Sequence, residues 1–171
     1  MIRTERARHR VTQFFRTLLA PLQPVDRAYT EKHLSSALLA CFERMSPAEQ
    51  HHGIEVCKAL EAQGYRDSDL LAAALLHDVG KSVAPPRLWE RVVVVLGEHF
   101  FPTWAERWAQ GEPQGWRRSF VVRHMHPQWG ADIVRQAGAS PKAVALIRRH
   151  HERAAAEDDV LLRALQAIDE T

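Results

Sequence analysis

The sequence is poor in cysteine, in net charge and in long hydrophobic runs. Its only cysteines, Cys41 and Cys57, fall in apolar helical patterns without a CxxC spacing, which excludes a disulfide scaffold and favours buried thiols in a reducing compartment. The 23 basic and 21 acidic residues nearly cancel, so the overall charge does not favour a nucleic-acid or membrane partner. No apolar run suits a membrane span or a signal peptide. We therefore expect a cytoplasmic protein.

No glycine- or serine-rich linker divides the chain, and its 171 residues suit one buried core. Apolar residues recur at helical spacing along most of it. The one strand-like run, Val92 to Val95, has a length and flanks that suit a buried helix. The sequence thus predicts a compact, single-domain all-α bundle, in which N-terminal helices in residues 1–45 pack on a domain over residues 46–171.

The N-terminal third predicts the first helices of this bundle. Apolar residues from Val11 to Ala20 follow a basic flank at helical spacing, which favours docking on the core over binding at a membrane surface. A second helix is predicted from about Val25 to Met45. Ser46, Pro47 and Glu49 then form a capping-box pattern that begins a third helix.

The central stretch of the sequence combines an apolar helix with polar residues at its end. Residues 70–76 are all apolar, so the helix is expected to cross the core. It ends on His77 and Asp78, followed by Gly80, predicted to stop the helix, and by Lys81. Burying an imidazole and a carboxylate together is costly unless a metal cation or a hydrogen-bonded partner pairs with them.

Four other predicted helices also bring a histidine or an aspartate to an inner face or a helix end: His52, His126, the pair His150–His151, and Asp169. His126 is predicted to precede a helix that begins with Pro127. One such residue is usually a core hydrogen-bonding group, a cap or an ion-pair partner. Together with the pair His77–Asp78, however, five helices carry such residues, and this coincidence favours a shared metal site. Imidazole and carboxylate ligands suit iron, manganese, zinc, cobalt or nickel, and magnesium less well.

The order H…HD…H…HH…D, together with the stretch ALLHDVGK, resembles the HD superfamily of metal-dependent phosphohydrolases. More narrowly, residues 126–133 resemble the HPxxGAEI segment of the HD-GYP branch, and residues 150–153 resemble its HHER segment. The resemblance spans about residues 46–169 and implies an all-α bundle that binds one or two divalent transition-metal ions. It also implies two ligand sets that share Asp78, the first completed by His52, His77 and Asp169 and the second by His126, His150 and His151.

Two departures from the family pattern narrow what the resemblance implies. The DGxGYP sequence that completes the HD-GYP signature is absent after Arg153, which argues against cyclic di-GMP hydrolysis. Ala48 occupies the position where trinuclear members carry a glutamate, which argues against a third metal. We expect hydrolysis of a small-molecule phosphate ester, a nucleotide or a related phosphomonoester or phosphodiester, with Asp78 and Lys81 catalytic. An interaction of Lys81 with the dipole of the preceding helix explains a lysine at this position equally well.

A segment dense in tryptophan and arginine, from Phe101 to Arg123, predicts short helices joined by a loop. The candidate substrate contacts, through base stacking or phosphate binding, are Arg149, Arg153, Trp116 and Arg117. For most of the tryptophans, core packing is the more common role. The alternative function is a non-catalytic metal-binding HD domain that serves as a signalling or interaction module. A homo-oligomer is compatible with either function.

Overall fold

The computed structural model describes residues 24–152 and 160–169, and these residues form helices and no strand. The predicted all-α class is therefore confirmed. The α-helices are α1 (Arg27–Thr30), α2 (Ser36–Glu43), α3 (Pro47–Ala62), α4 (Ser68–Leu76), α5 (Leu88–Phe100), α6 (Pro102–Trp108), α7 (Arg118–Gln136), α8 (Pro141–Arg149) and α9 (Val160–Asp169). Two 3₁₀-helices, Val79–Val83 and Gly115–Arg117, follow α4 and precede α7. The helix predicted over Val11 to Ala20 lies outside the described residues.

Helix α4 is the centre of the main core. Every residue from Leu70 to Leu76 is buried, because α2, α3, α8 and α9 pack around it and its apolar side chains leave no polar face for solvent. Asp67 caps its first turn by accepting a hydrogen bond from the Leu70 N–H at 3.0 Å. None of the described helices is both long enough and apolar enough to cross a membrane.

The single helix predicted from Val25 to Met45 is wrong, because the chain forms the two helices α1 and α2 there. Asp26 caps α1, and Ser35, with an extended backbone, caps α2 by accepting a hydrogen bond from the Leu38 N–H. Serine and aspartate compete in this way with a continuous helical ladder. The capping box between Ser46 and Glu49 is present at the start of α3, as predicted.

The helix predicted to begin at Pro127 begins instead at Arg118, so His126 lies inside a helix rather than before one. An interior proline has no N–H to donate to the carbonyl four residues earlier, which is usually costly. Here that carbonyl, of Arg123, accepts a hydrogen bond from His126 Nδ1 at 2.9 Å. The side chain of His126 thus replaces the donor that Pro127 lacks, and α7 continues through the proline.

Gly80 permits a close contact between backbones rather than acting only as the predicted helix stop. After α4 ends, the chain continues as a 3₁₀-helix that packs on α7. A Cβ at Gly80 would lie 1.9 Å from the carbonyl oxygen of His126 and 2.7 Å from the nitrogen of Gly130. Only glycine permits this approach, and the approach places Asp78 next to His126.

We expect Gly80→Ala to lower the free energy of unfolding by about 2–4 kcal/mol, because the two backbones must separate to admit the methyl group. Denaturant unfolding of the purified variant measures this loss. Gly130→Ala is the matched control, since a Cβ there meets its nearest atoms at 3.2–3.3 Å and needs only a small adjustment. Equal losses in the two variants would contradict this explanation.

Helices α5 and α6 pack on the first half of α7 and form a second, smaller core. Its buried members are Val94, Ala105, Ala109 and Phe120. Helix α5 is fixed to α7 by the buried carboxylate of Glu90, whose two oxygens lie 3.0 and 2.8 Å from Nη1 of Arg118. The segment rich in tryptophan and arginine therefore forms short helices as predicted, although α7 already begins within it at Arg118.

Burial in this segment is lower than predicted. Trp104 and Trp116 are more than half exposed, so the expectation that most of the tryptophan rings pack in the core is wrong for these two. Trp108 is half-buried and contacts both of them. The run from Val92 to Val95 is helical as predicted, but only Val94 is fully buried there.

Candidate metal centre

The seven side chains proposed as metal ligands meet beyond the C-terminal end of α4. They form two groups in which the ligand atoms lie within 4.8 Å of one another, with Asp78 between the groups: His52, His77 and Asp169 in the first, and His126, His150 and His151 in the second. Five different helical segments supply them, because the histidines and carboxylates come from α3, α4 and its extension, α7, the end of α8, and α9.

Asp169 holds the first group together. Its Oδ1 lies 2.7 Å from His52 Nε2 and 3.2 Å from His77 Nε2. Although Asp169 is the last residue of α9, its side chain is only 17% exposed, because Leu162 and Leu165 anchor that helix in the core. The carboxylate is thus fixed between two imidazoles.

The second group is a cluster of three imidazole rings. The ring centroids of His150 and His151 are 4.2 Å apart, and His126 lies 5.2 Å from the first and 4.7 Å from the second. His126 and His150 are buried, whereas His151 is exposed. The cluster therefore has a buried floor and an accessible edge.

Asp78 faces both groups with one carboxylate oxygen each. Its Oδ1 is 3.3 Å from His126 Nε2, and its Oδ2 is 3.7 Å from His77 Nε2. Lys81, one turn along the 3₁₀-helix, places its Nζ 2.6 Å from Oδ2. Burial would raise the pKa of Asp78, but Lys81 and then His77 and His126 hold that pKa well below its usual value. Asp78 is therefore ionised at neutral pH.

Three of the histidines are oriented by the same kind of hydrogen bond. Each donates Nδ1–H to a backbone carbonyl of the preceding helical turn: His77 to Ala74 at 2.9 Å, His126 to Arg123 at 2.9 Å, and His150 to Ile147 at 2.6 Å. Each carbonyl lies where the helical ladder is interrupted, at the end of α4, at the end of α8, or at Pro127 in α7. Since a carbonyl only accepts, Nδ1 carries the hydrogen in all three rings.

The Nε2 atoms of the same three histidines are buried, and none makes a well-aligned hydrogen bond with the described residues. Those of His77 and His126 face carboxylate oxygens, of Asp169 and Asp78, at 3.2 and 3.3 Å. Buried ring nitrogens without a well-aligned hydrogen bond are uncommon in folded proteins. Histidines that bind metals typically donate one ring N–H to a carbonyl or carboxylate and turn the other nitrogen to the ion. The orientation of the three rings therefore fits metal ligation.

The protonation of the two groups differs. Burial lowers the pKa of His77, but Asp169 and Asp78 more than offset this and raise it to about 9, so the first group attracts positive charge. Burial, and then the charge of His77, lowers the pKa of His150 to about 3, and burial lowers the pKa of His126 as well. The second group thus offers neutral imidazole near pH 7, which is the form that binds cations.

A family model described as "HD domain" matches residues 51–171, well over half of the chain. The chain belongs to the HD domain family. HD domains are typically metal-dependent phosphohydrolases and bind divalent cations, so the predicted superfamily is confirmed. No curated protein and no solved structure matches this HD domain significantly.

Of the four residues predicted to contact substrate, the three that the structure describes lie in two separate segments. Trp116 and Arg117 lie in the 3₁₀-helix before α7, where the Trp116 ring contacts Trp108 and Phe120. Arg149 precedes His150 and lies 3.3 Å from the carboxylate of Glu152. Arg153 is outside the described residues. These four assignments therefore stay predictions.

Arg123 was missed by the sequence reasoning, although it approaches the centre. Its Nη1 lies 3.5 Å from His151 Nε2, at the exposed edge of the imidazole cluster. Its spacing of three residues before His126 would have placed both on one face of a helix. The break predicted at Pro127 concealed that relation, because it separated Arg123 from the helix of His126.

We expect Pro127→Ala to weaken divalent-metal binding by about tenfold, because the new N–H competes with His126 Nδ1 for the Arg123 carbonyl. Calorimetric titration with zinc or manganese measures the affinity. The loss should be limited, since His126 Nδ1 also lies 3.1 Å from the Val122 carbonyl. Thermal stability should not fall in parallel, because alanine suits a helix interior better than proline.

Pro141→Ala is the matched control for this variant. Pro141 is the first residue of α8, where a missing N–H leaves no carbonyl without its donor. An affinity for metal that is unchanged in Pro127→Ala, or lowered equally in Pro141→Ala, would show that the proline does not orient His126.

Proposed function

We propose that this HD domain is a phosphohydrolase whose two divalent cations share Asp78. The observation that carries the proposal is the position of that carboxylate, which directs one oxygen toward each group of ligands. The first cation would be held by His52, His77, Asp78 and Asp169, and the second by Asp78, His126, His150 and His151. The Nε2 atoms of His77, His126 and His150 support this assignment, because they are buried at the two groups without a well-aligned hydrogen bond.

The donor set also bears on which cations bind. Imidazole nitrogens outnumber carboxylates here, and such sites suit iron, manganese, zinc, cobalt or nickel better than magnesium. Bound cations of this kind polarise a phosphoryl oxygen and lower the pKa of a water molecule that attacks phosphorus. The protein contributes a rigid, partly dehydrated frame, because most of the proposed ligands are buried and fixed by the ends of packed helices.

Lys81 and Arg123 are the cationic side chains proposed to act on the phosphate ester. Lys81 keeps Asp78 ionised through their contact of 2.6 Å and places a positive charge where a phosphoryl oxygen becomes more negative in the transition state. Arg123 lies at the exposed edge, beside His151, where its guanidinium can bind two non-bridging oxygens. The two cations would thus approach the phosphate from different sides.

These charges and the sequence departures support one class of substrate. A small phosphate ester, such as a nucleotide or a related phosphomonoester or phosphodiester, matches a site with two cationic side chains. The segments at residues 126–133 and 150–153 support a relation to the HD-GYP branch. The absence of DGxGYP after Arg153 argues against cyclic di-GMP as the substrate.

We expect the native protein to contain two metal ions per chain, and Asp78→Asn to lose at least one of them together with roughly a thousandfold or more in kcat. Mass spectrometric metal analysis of untagged protein purified without chelators gives the stoichiometry. Hydrolysis of a chromogenic phosphodiester and of a panel of nucleotides gives the rate. Asp132→Asn is the control, because this carboxylate lies on α7 and pairs with Arg135 at 2.9 Å.

Two results would contradict the proposal. Asp78→Asn that keeps both its metals and its activity would remove Asp78 from the centre. Metal-loaded native protein with no turnover of any ester, with each of the five transition metals, would favour the non-catalytic signalling or interaction module instead.

We expect Arg123→Gln to raise KM for the best ester by about tenfold, since one charge-assisted contact to phosphate is lost. Metal content should not change, because Arg123 is not among the proposed ligands. Arg135→Gln on the same helix is the matched control, as Arg135 is exposed and pairs with Asp132. A KM in Arg123→Gln equal to that of the control would exclude Arg123 from substrate binding.

A further inference from the structure

Helices α5 and α6 carry an unusually large exposed apolar surface, outside the metal centre. Among the described residues, eight of the ten exposed large apolar side chains lie between residues 89 and 116. We call them the α5–α6 surface, which consists of Trp89, Val92, Val95, Leu96, Phe100, Phe101, Trp104 and Trp116. Scattered apolar residues at a surface are ordinary, but clusters of this kind typically mark binding sites.

Four members of the surface form one stripe along α5. Trp89, Val92, Leu96 and Phe100 follow one another at helical spacings of three, four and four residues, so they lie on one side of the helix. The other side is already occupied, since Val94 and Gly97 are buried against the helices of the smaller core. A helix that is apolar on both sides is normally covered on both sides.

The stripe continues without a break onto α6. Phe100, Phe101 and Trp104 line one concavity of about 470 Å³, together with Pro102, Thr103 and Arg107. Trp104 adjoins Trp108, whose ring contacts Trp116 with a centroid distance of 5.1 Å. Both helices therefore contribute to one continuous surface.

The extent of this surface matches one side of a protein interface. Its five aromatic rings, each more than half exposed, present roughly 500 Å², and the three exposed aliphatic residues add to this area. The largest apolar patch of a typical monomer is about 300–600 Å². Each partner in a stable protein complex contributes about 800 Å².

We propose that the α5–α6 surface is the interface of a homodimer, in which α5 packs antiparallel against α5 of a second copy. The stripe is self-complementary, because large rings at its ends, Trp89 and Phe100, flank the smaller Val92 and Leu96. An antiparallel pair would bring Trp89 of one chain to Phe100 of the other and Val92 to Leu96, as a two-fold axis requires.

The charges near the surface also favour a second copy. The stripe itself carries no charged side chain, so two identical stripes can meet without repulsion between like charges. Acidic and basic residues both occur at its margin on α6, among them Glu106 and Arg107, both exposed. A surface that binds anionic lipid would instead carry a predominantly basic margin.

Sedimentation equilibrium of the 171-residue chain over a micromolar concentration range tests the proposal, and a dimer is the expected result. Leu96→Glu should raise the dissociation constant of the dimer by on the order of a hundredfold, because the substitution enters a two-fold interface twice. Leu96 is half exposed, so the variant should keep its helicity and thermal stability. Val160→Glu is the matched control, as Val160 is similarly exposed on α9, and it should stay dimeric.

A native 171-residue chain that is monomeric throughout this range would overturn the proposal, and so would a dimer that persists in Leu96→Glu. If the chain is monomeric, two further measurements identify what covers the α5–α6 surface instead. Increased binding of an apolar dye to Leu18→Glu would assign the surface to the segment from Val11 to Ala20. Co-sedimentation of the native chain with phosphatidylcholine vesicles, lost in Leu96→Glu, would assign it to lipid.

Discussion

The buried carboxylate of Asp78 is the constraint on which the arrangement of the helices depends. An ionised carboxylate in a protein interior costs several kcal/mol unless cations or hydrogen-bond donors surround it. Lys81 comes from the chain immediately after it, whereas His126 comes from α7. The second contact requires the backbones of α7 and the 3₁₀-helix to approach closely, and the absence of a Cβ at Gly80 allows this. One polar group in the core thus determines how two elements pack.

Interruptions of the helical ladder orient the imidazoles of the centre. A regular helix uses all of its interior carbonyls, so a histidine inside it has no backbone acceptor of its own. The ends of α4 and α8 and the proline in α7 each release one carbonyl, which then accepts from Nδ1 of His77, His150 or His126. The same feature that would weaken an isolated helix therefore fixes the tautomer of a histidine and directs its Nε2 inward.

Local signals in the sequence predicted much of the fold, whereas features that depend on tertiary contacts were harder to predict. The apolar run of α4 and the capping box at Ser46 act within a few residues, and both are confirmed. Pro127 normally signals a boundary, and only the side chain of His126 allows the helix to continue. Gly80 gives no local sign of the helix that packs on it. The order of the histidines and aspartates predicted the superfamily, because the residues of the family motif come from separate helices that pack together at one site.

Among the described side chains, two ion pairs join α5 to α7, one of them buried and the other exposed. The buried pair has a structural role, whereas the exposed pair involves Arg123, which we propose to bind substrate. Arg118 and the buried Glu90 are in contact through two oxygens, so breaking that pair would leave a charge uncompensated in the core. Arg123 and Glu98 are both exposed and 3.4 Å apart, and a pair of that kind contributes only about 0–1 kcal/mol. The guanidinium of Arg123 can therefore exchange Glu98 for a phosphate at little cost, while Glu90 and Arg118 keep α5 in place beside the proposed centre.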